Sequence, residues 1–428
     1  MSRASIVIAA FSTIVEWYDF TLYLYFATVL ARVFFGRSDA ALAAALAGFA
    51  VAYILRPVGA IIFAHVGDRF GRRRSLLLSV ALITVGMFAT ALLPTHAQSG
   101  AAAGWLLILV RCLMGFSVGG EYCVIVSYLL EGASPGRRGL VTSLASAASE
   151  VGGLLAVGVC YLVVTKLDAS QLDTWGWRIP FFVGAALAIS VWVARSAMQE
   201  SPDFERQQVN ATVPDMPFLY TLSTQRVGLL RAFTISALGS VTYYVGITYI
   251  PVYLTSAGKM TESTSFELST IAAVVVILIT PLTGILSDWL GRKPVLVGLA
   301  GLGIALPIAM FQLMGSGSHL LAMLGAAVMA GVAGAVSAVG AAATAEQFPG
   351  EGRISGLALG ATTATVIFGG LTPFLAQVLI GRTGLPIVPG IMIAAVALCV
   401  LPVFFAMPET VTPRLDRGDE SQRMRQLH

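Results

Sequence analysis

Charged side chains are scarce in this chain of 428 residues: Asp, Glu, Lys and Arg make up 11%, whereas hydrophobic residues make up 57%. Soluble domains contain about 25% charged residues, so an ordinary cytosolic enzyme of this length is not expected. Cysteine and histidine are equally sparse, with four of each. The cysteines stand singly in apolar runs without CxxC spacing, and the histidines are dispersed. We therefore expect reduced, buried thiols, no metal site and no cofactor.

Long apolar windows fill most of the chain. A helix that crosses a bilayer needs about 20 apolar residues, and windows of this kind are separated by short polar segments. The first window could pass for a signal peptide, but Glu16 and Asp19 interrupt it and no cleavage site follows, so we predict a retained span. The sequence predicts an all-α membrane protein with twelve transmembrane helices, at 6–35, 40–64, 75–95, 104–130, 139–165, 179–198, 227–255, 267–286, 294–314, 319–345, 354–380 and 386–407.

An internal repeat divides these windows into two sets of six. The segment 68–73 (DRFGRR) recurs as 288–293 (DWLGRK), and a Glu followed by an Arg recurs after spans 4 and 10. Such repeats are typical of transporters built from two parallel six-helix halves. The charges could merely orient the spans, or they could form a cytoplasmic latch that breaks when the halves rock apart. The predicted gate residues are Asp68, Arg69, Arg72, Glu131, Arg138, Asp288, Arg292, Glu346 and Arg353.

The polar segments also indicate the domain boundaries and the orientation. The longest interruption separates a six-helix bundle at 1–199 from a second at 227–407, with a cytoplasmic linker at 200–226 and a short cytoplasmic tail at 408–428. With the N-terminus inside, eighteen basic residues, Arg195 among them, fall on the cytoplasmic side and six on the outside. The positive-inside rule therefore predicts that both termini are cytoplasmic.

A small set of charged residues falls deep inside the predicted spans, and all of them lie in the first half. Ionisable groups at such depth are expensive and usually functional. Two arginines cannot neutralise four carboxylates, so at least one carboxyl is protonated at times or faces water, as a proton-coupled carrier requires. Static ion pairs that fix helix register are the alternative. The set comprises Glu16, Asp19, Arg56, Arg111, Glu121 and Glu150.

Several further stretches accompany the repeated loop motif: 16–20 (EWYDF), 55–59 (LRPVG), 115–122 (GFSVGGEY), 175–181 (WGWRIPF), 200–204 (ESPDF) and 368–373 (FGGLTP). Together they resemble the major facilitator superfamily, and within it the metabolite:proton symporter branch, which includes carriers of citrate, ketoglutarate, shikimate and proline/betaine. The resemblance implies the major facilitator fold and a carrier rather than an enzyme. The sequence departs from the pattern at Ala64, where glycine is usual, and at Trp289, where a basic residue is usual.

The resemblance also implies roles for the buried charges. In sugar:proton symporters of the superfamily, an aspartate of span 1 pairs with the arginine of an RxxxGxxxG stretch, and residues 111–119 match that stretch. We therefore expect Asp19, Arg111 and Glu121 to serve proton coupling. Arg56, which we expect beside Glu121, is suited to hold a substrate carboxylate, because a guanidinium binds carboxylates bidentately.

Other polar side chains of the spans complete the predicted substrate site. Tyrosines of span 7 could supply hydroxyl groups and ring faces, although an interfacial aromatic belt is an equal alternative for Tyr249. The predicted substrate-binding residues are Glu16, Tyr23, Arg56, Glu150, Tyr243, Tyr244 and Tyr249.

These features predict a proton-coupled symporter that imports a small organic acid or zwitterion across the bacterial inner membrane. Its energy source would be the proton gradient, because the chain has no phosphate-binding motif for ATP. No basic face suggests nucleic acid, and we expect a monomeric functional unit. Proline/betaine uptake is an alternative, although the short tail lacks the coiled coil of osmosensing carriers. A drug:proton antiporter is less favoured, because 149–153 (SEVGG) lacks the expected proline.

A membrane-embedded enzyme is the competing function of another class. Residues 115–119 (GFSVG) fit the G-x-S-x-G pattern of hydrolases, but they lie inside an apolar span with no histidine base nearby. We predict instead that Gly115 and Gly119 form a small-residue face for close helix packing.

Overall fold

The computed structural model describes residues 1–36, 41–258, 260 and 262–411. These residues form helices and connecting turns, with no strand among them, and the predicted all-α class is confirmed. They divide into two units. The first unit contains Met1–Glu131 and Ala148–Phe218, and the second contains Gly132–Ala147 and the chain from Leu219 onward.

The first unit and the helices that leave or enter it have these bounds: α1 Arg3–Tyr25, α2 Ala27–Leu30, α3 Ala41–Ile54, α4 Arg56–Phe70, α5 Arg72–Leu92, α6 His96–Ser99, α7 Ala102–Gly132, α8 Arg138–Lys166, α9 Ala169–Thr174, α10 Ile179–Ser196, α11 Pro202–Val209 and α12 Pro217–Thr224. Helix α8 begins in the second unit and continues in the first. The predicted linker contains α11 and α12.

The second unit contains the remaining helices: α13 Arg226–Tyr243, α14 Ile250–Ser256, α15 Glu262–Leu290, α16 Arg292–Met314, α17 His319–Ala345, α18 Arg353–Leu357, α19 Thr363–Thr365, α20 Thr372–Thr383 and α21 Val388–Ala406. Short π-helical segments lie at Ala31–Phe35, Tyr244–Thr248, Ala358–Thr362 and Val366–Gly370. Most of the predicted tail, 412–428, lies outside the described residues.

Most predicted spans are continuous helices. Within the described residues, ten helical segments are long and apolar enough to cross a membrane, or eleven if α13 and α14, which are bent by 46°, form one span. Pro251 in the first turn of α14 accounts for that bend, because proline cannot donate a backbone hydrogen bond. The window 40–64 forms α3 and α4, which are interrupted at Leu55, two residues before Pro57.

Glycines let α7 approach its neighbours at backbone distance. A Cβ atom added to Gly115 would lie 2.2 Å from the carbonyl oxygen of Ala52 on α3, and one added to Gly119 would lie 2.0 Å from that of Arg56 on α4. Real Cβ atoms do not approach so closely. The G-x-S-x-G pattern at 115–119 is therefore a helix-packing surface, as predicted.

Candidate functional site

The ion pair between Asp19 and Arg111 lies in the interior of the first unit. Nη1 of Arg111 donates to Oδ1 of Asp19 at 2.6 Å, and the two residues are 2% and 4% exposed. Asp19 lies on α1 and Arg111 on α7. Because the site excludes most water, a charge on either partner depends strongly on the charge of the other. The structure thus brings together the two residues that the sequence assigns to proton coupling, and their role remains a prediction.

Two aromatic rings support the arginines of this region. The guanidinium carbon of Arg111 lies 4.7 Å from the ring centre of Tyr23, and that of Arg56 lies 5.0 Å from the ring centre of Phe20. The hydroxyl of Tyr23 donates to the carbonyl of Ala45 at 2.8 Å. Tyr23 therefore holds the face of Arg111 by a cation–π contact while its hydroxyl ties α1 to α3.

The partner of Glu121 is Arg195. Nη2 of Arg195 donates to Oε1 of Glu121 at 2.5 Å, and both residues are at most 1% exposed. From the sequence, Arg56 is expected beside Glu121 and Arg195 on the cytoplasmic side, and that orientation remains a prediction; the structure adds that the Arg195 side chain is fully buried and binds Glu121. Arg195 is in the last turn of α10, and its long side chain reaches back into the bundle, which hydropathy along the chain does not reveal.

Glu16 and Glu150 occupy different environments. Glu16 is 5% exposed, and its Oε2 atom has no hydrogen-bond partner among the described residues. Glu150 is half-buried on α8. Among the described residues of the first unit, Glu16, Asp19, Arg111, Glu121 and Arg195 are all buried.

The predicted tyrosines of the second unit do not form one group. The rings of Tyr243 and Tyr244 meet edge to face at 5.6 Å and are half-buried. Tyr249 is 3% exposed, and its hydroxyl donates to Oε1 of Gln377 at 2.5 Å. Gln377, on α20, was not predicted from the sequence. Tyr249 thus belongs to the core of its unit rather than to an exposed belt.

The loop motif of the first unit forms a buried triad. Arg72, which is fully buried, donates from Nε and Nη2 to the carboxylate of Glu131 at 3.1 and 3.0 Å, and its Nη2 lies 3.7 Å from Asp68. Ser127 also donates to Glu131, at 2.9 Å. Arg69, by contrast, is exposed and pairs with exposed Asp215 at 3.6 Å.

The second copy of the motif forms the same triad in the second unit. Arg292 contacts Asp288 at 2.9 Å and Glu346 at 3.2 Å. The carboxylate of Asp288 also accepts from the backbone N–H groups of Gly139 and Leu140, at 2.8 and 2.9 Å, in the first turn of α8. An acceptor here satisfies backbone groups that a helix start leaves free. The sequence repeat therefore corresponds to a repeat of the Asp, Arg and Glu contacts.

Two glutamates that are not among the predicted site residues complete the motifs, although Glu200 opens the 200–204 stretch noted in the sequence. Glu200 accepts from the backbone N–H groups of Arg72 and Arg73, at 3.0 and 3.2 Å, and Glu409 accepts from those of Arg292 and Lys293, both at 2.9 Å. Each carboxylate therefore caps the helix that starts after the motif glycine.

A weak signal for these caps was present in the sequence, because each glutamate follows a methionine by two residues at the end of an apolar window, at 198–200 and 407–409. Burial raises the pKa of the Glu200 carboxyl, whereas the N–H groups of Ser201 and Arg73 act in the opposite direction. In addition, a Cβ at Gly71 would lie 2.3 Å from Glu200, and Gly71 has a φ of +111°, so this position requires glycine.

The two remaining predicted gate residues lie outside the two triads. Arg353 is 7% exposed, and its Nε donates to the carbonyl of Phe348 at 3.3 Å. Arg138 is half-buried at the start of α8, where its Nε has no hydrogen-bond partner among the described residues. Glu131 and Glu346 bind the motif arginines Arg72 and Arg292. Among the described residues, no cluster of His, Cys, Asp and Glu is suited to hold a metal ion.

Comparison with known proteins gives consistent matches over nearly the whole chain. A family model described as "Sugar (and other) transporter" matches residues 5–215 and 205–420. The proline/betaine transporter of Salmonella typhimurium is 31% identical over 421 residues, which cover 95% of this chain and 84% of the relative. The citrate-proton symporter of Klebsiella pneumoniae is 29% identical, with coverage of 90% and 87%. The α-ketoglutarate permease of Escherichia coli is 31% identical, with coverage of 87% and 86%.

Solved structures with the same fold include the proton:xylose symporter XylE of the major facilitator superfamily, bound to 6-bromo-6-deoxy-D-glucose. It superposes with a TM-score of 0.78 at 19% identity and covers 95% of this chain and 96% of its own. An inward open conformation of XylE from Escherichia coli superposes with a TM-score of 0.64 at 22% identity, over 94% and 96%. At this identity the likeness concerns the fold alone.

Proposed function

Because the chain belongs to the family of sugar (and other) transporters, it is a multi-pass membrane transporter and not an enzyme, and we propose that it imports a small organic acid or zwitterion together with protons. The observation that carries this proposal is the buried pair of Asp19 and Arg111. Relatives named for proline/betaine, citrate and α-ketoglutarate support the substrate class.

The coupling step is a change of charge at Asp19. When Asp19 is ionised, it holds Arg111 at 2.6 Å, so that α1 and α7 are tied together. Protonation neutralises the carboxyl and removes most of the electrostatic attraction, which is strong in a site with little water. The first bundle can then rearrange around a bound substrate, and loss of the proton restores the pair.

The proposed substrate-binding residues include members of each unit. In the first unit, Arg56 would bind a carboxylate, and Glu16, Glu150 and Tyr23 would add further polar groups. In the second unit, Tyr243 and Tyr244 would add hydroxyl groups and ring faces, whereas Tyr249 lies in the core and its hydroxyl is bound to Gln377. Proline/betaine uptake is a second candidate, because two relatives that match 95% and 100% of this chain are named for osmolytes of that kind.

The motif triads would act as the cytoplasmic gate of an alternating-access cycle. Asp288 supports this role, because its carboxylate binds the first turn of α8, a helix that continues into the other unit. Breaking these bonds would release the end of α8. The carrier would be driven by the proton gradient without a cofactor or ATP, as a monomer in the bacterial inner membrane with both termini cytoplasmic.

The proposal can be tested in unbuffered right-side-out vesicles that contain the transporter. Proline, glycine betaine, citrate and 2-oxoglutarate would be added one at a time while the external pH is recorded. We expect at least one of them to alkalinise the medium, with loss of the signal when an uncoupler is present. Acidification would indicate antiport instead, and entry of a radiolabelled probe without a pH change would indicate uncoupled transport.

A further inference from the structure

A column of polar groups runs along α1 beyond the Asp19 pair. Ser12, Glu16 and Asp19 follow each other at intervals of four and three residues, so they share one face of the helix. Asp19 meets Arg111 at one end of this face, and at the other end Ser12 accepts from Nη2 of Arg195 at 2.6 Å. The two ends are about 10 Å apart along the helix axis.

At the second end of the column, several groups bind Arg195. The second terminal nitrogen of Arg195, Nη1, donates to the carbonyl of Leu76 at 2.7 Å and lies 3.4 Å from Oγ of Ser79. Both residues are on α5. Three helices, α1, α5 and α7, thus supply acceptors to one arginine of α10. A guanidinium with so many fixed partners is held in one orientation, and Glu121 is the carboxylate it faces.

One oxygen of that carboxylate remains available. Oε2 of Glu121 is buried and has no hydrogen-bond partner among the described residues, and the same holds for Oε2 of Glu16. The charged groups around Glu16 are Glu121, Arg56, Arg195 and Asp19. Nη2 of Arg195 binds both Glu121 and Ser12, and Ser12 lies one helical turn from Glu16 on α1. Glu16 and Glu121 are both buried carboxylates, and one proton relieves the repulsion that arises when both are ionised.

We propose that Glu121 is a second protonation site of the carrier, that Arg195 is the positioning residue that keeps it ready to release its proton, and that the coupled proton leaves Asp19 by way of Glu16 and Glu121. This inference rests on the proposed proton coupling and adds the direction in which the proton moves. With the N-terminus inside, Ser12 and Arg195 lie nearer the cytoplasm than Asp19, so the column leads the proton inward.

The transfer conserves charge and atoms at each step. The O–H bond of protonated Asp19 breaks as an O–H bond forms on ionised Glu16, and Asp19 recovers its pair with Arg111. The proton of Glu16 then moves to Oε2 of Glu121. It finally passes to water on the cytoplasmic side, and Glu121 is again the ionised partner of Arg195.

The test uses the full-length purified transporter without substrate. Infrared difference spectra recorded during a pH titration report protonated buried carboxyl groups, and Glu121→Gln should remove one such band. Arg195→Gln should change the midpoint pH at which that band appears, because it removes the cation that contacts Glu121. Arg195→Lys, which keeps the positive charge, should give a smaller displacement. Arg3→Gln, which changes an exposed arginine of α1, is the matched control and should leave the midpoint unchanged.

A band that persists in Glu121→Gln, or a midpoint that is the same in wild type and Arg195→Gln, would overturn the inference. If Arg195→Gln fails to fold, Glu121→Gln still decides the matter, since its amide oxygen can accept from Arg195. The vesicle assay is independent of this result. Absence of coupled uptake with every probe contradicts the proposed function, whereas an unchanged infrared band contradicts only the roles of Glu121 and Arg195.

Discussion

Each unit contains buried arginines that contact buried carboxylates. Arg72, Arg195 and Arg292 are each 0% exposed, and each contacts at least one carboxylate. A buried ion pair is not by itself a source of stability, because its desolvation penalty offsets much of the attraction. Removing one member, however, leaves an uncompensated charge inside the protein. At the scale of single residues, we therefore expect substitutions of these arginines to have the largest effects on stability.

Substitution of Arg72 by glutamine should destabilise the protein by about 3–5 kcal/mol, because it removes the cation that contacts both Asp68 and Glu131. Thermal unfolding in detergent would show this as a clear drop in melting temperature. Arg74→Gln is the matched control, since Arg74 is exposed two residues further along the same helix. Equal melting temperatures for the two variants would contradict the structural role of the triad.

The contact between Asp19 and Arg111 could be predicted at this scale, because spans 1 and 4 carry a recognisable pair of motifs. The partner of Glu121 could not. Arg195 sits at the end of an apolar window, where most arginines point to the aqueous interface, and only the packed bundle shows that its side chain turns inward. The caps formed by Glu200 and Glu409 also depend on contacts between residues more than 100 positions apart.

Helix packing around α7 depends on glycine. Backbone carbonyls of α3 and α4 occupy the space where side chains of Gly115 and Gly119 would stand. This close approach also fixes the backbone of Arg56, whose carbonyl faces Gly119. The position of a predicted substrate-binding residue is thus set by a residue with no side chain.

We expect Gly119→Ala to lower both the melting temperature and the transport rate, because its Cβ would lie 2.0 Å from the Arg56 carbonyl oxygen and the two helices must separate. In Gly158→Ala, on α8, nothing lies within 4 Å of the added atom, and the variant should be neutral or more stable by about 0.5–1 kcal/mol. Melting curves and initial uptake rates of the two variants provide the comparison. A Gly119→Ala protein as stable and active as Gly158→Ala would show that this packing is unimportant.

The apolar windows predicted the spans well as elements, but they did not predict where helices break. The interruption at Leu55 and the bend between α13 and α14 each lie close to a proline. The π-helical segments of the second unit, by contrast, have no signal in hydropathy, because they change the backbone hydrogen bonding without changing composition. Such segments often mark functional sites, and Tyr244 begins one of them.

The whole molecule is a pair of units that repeat one arrangement. Each unit carries an Asp, Arg and Glu triad and a glutamate cap on the helix after the motif glycine. Membership of the major facilitator superfamily, predicted from the motifs, is confirmed by the family match and by the relatives. The domain boundaries and the orientation in the membrane remain predictions. The orientation depends on the distribution of positive charge across the membrane.

The orientation can be tested with reporter fusions. A fluorescent protein fused after His428 should fluoresce, and alkaline phosphatase fused at the same point should be inactive, because both termini are predicted to be cytoplasmic. Phosphatase fused in the loop near Lys166, on the predicted outer side, is the control and should be active. The reverse pattern would contradict the charge-based topology.

The most direct test of proton coupling is the comparison of uptake and exchange in Asp19→Asn. Proteoliposomes with an imposed proton gradient would measure accumulation of the probe that alkalinises the vesicle medium, and counterflow at equal pH would measure exchange. Because asparagine cannot release a proton, the variant should lose gradient-driven accumulation and retain part of the exchange, whereas Glu267→Gln, an exposed carboxylate of α15, should behave as the wild type. Accumulation that persists in Asp19→Asn at the wild-type level would contradict the assignment of Asp19 as the coupling carboxyl.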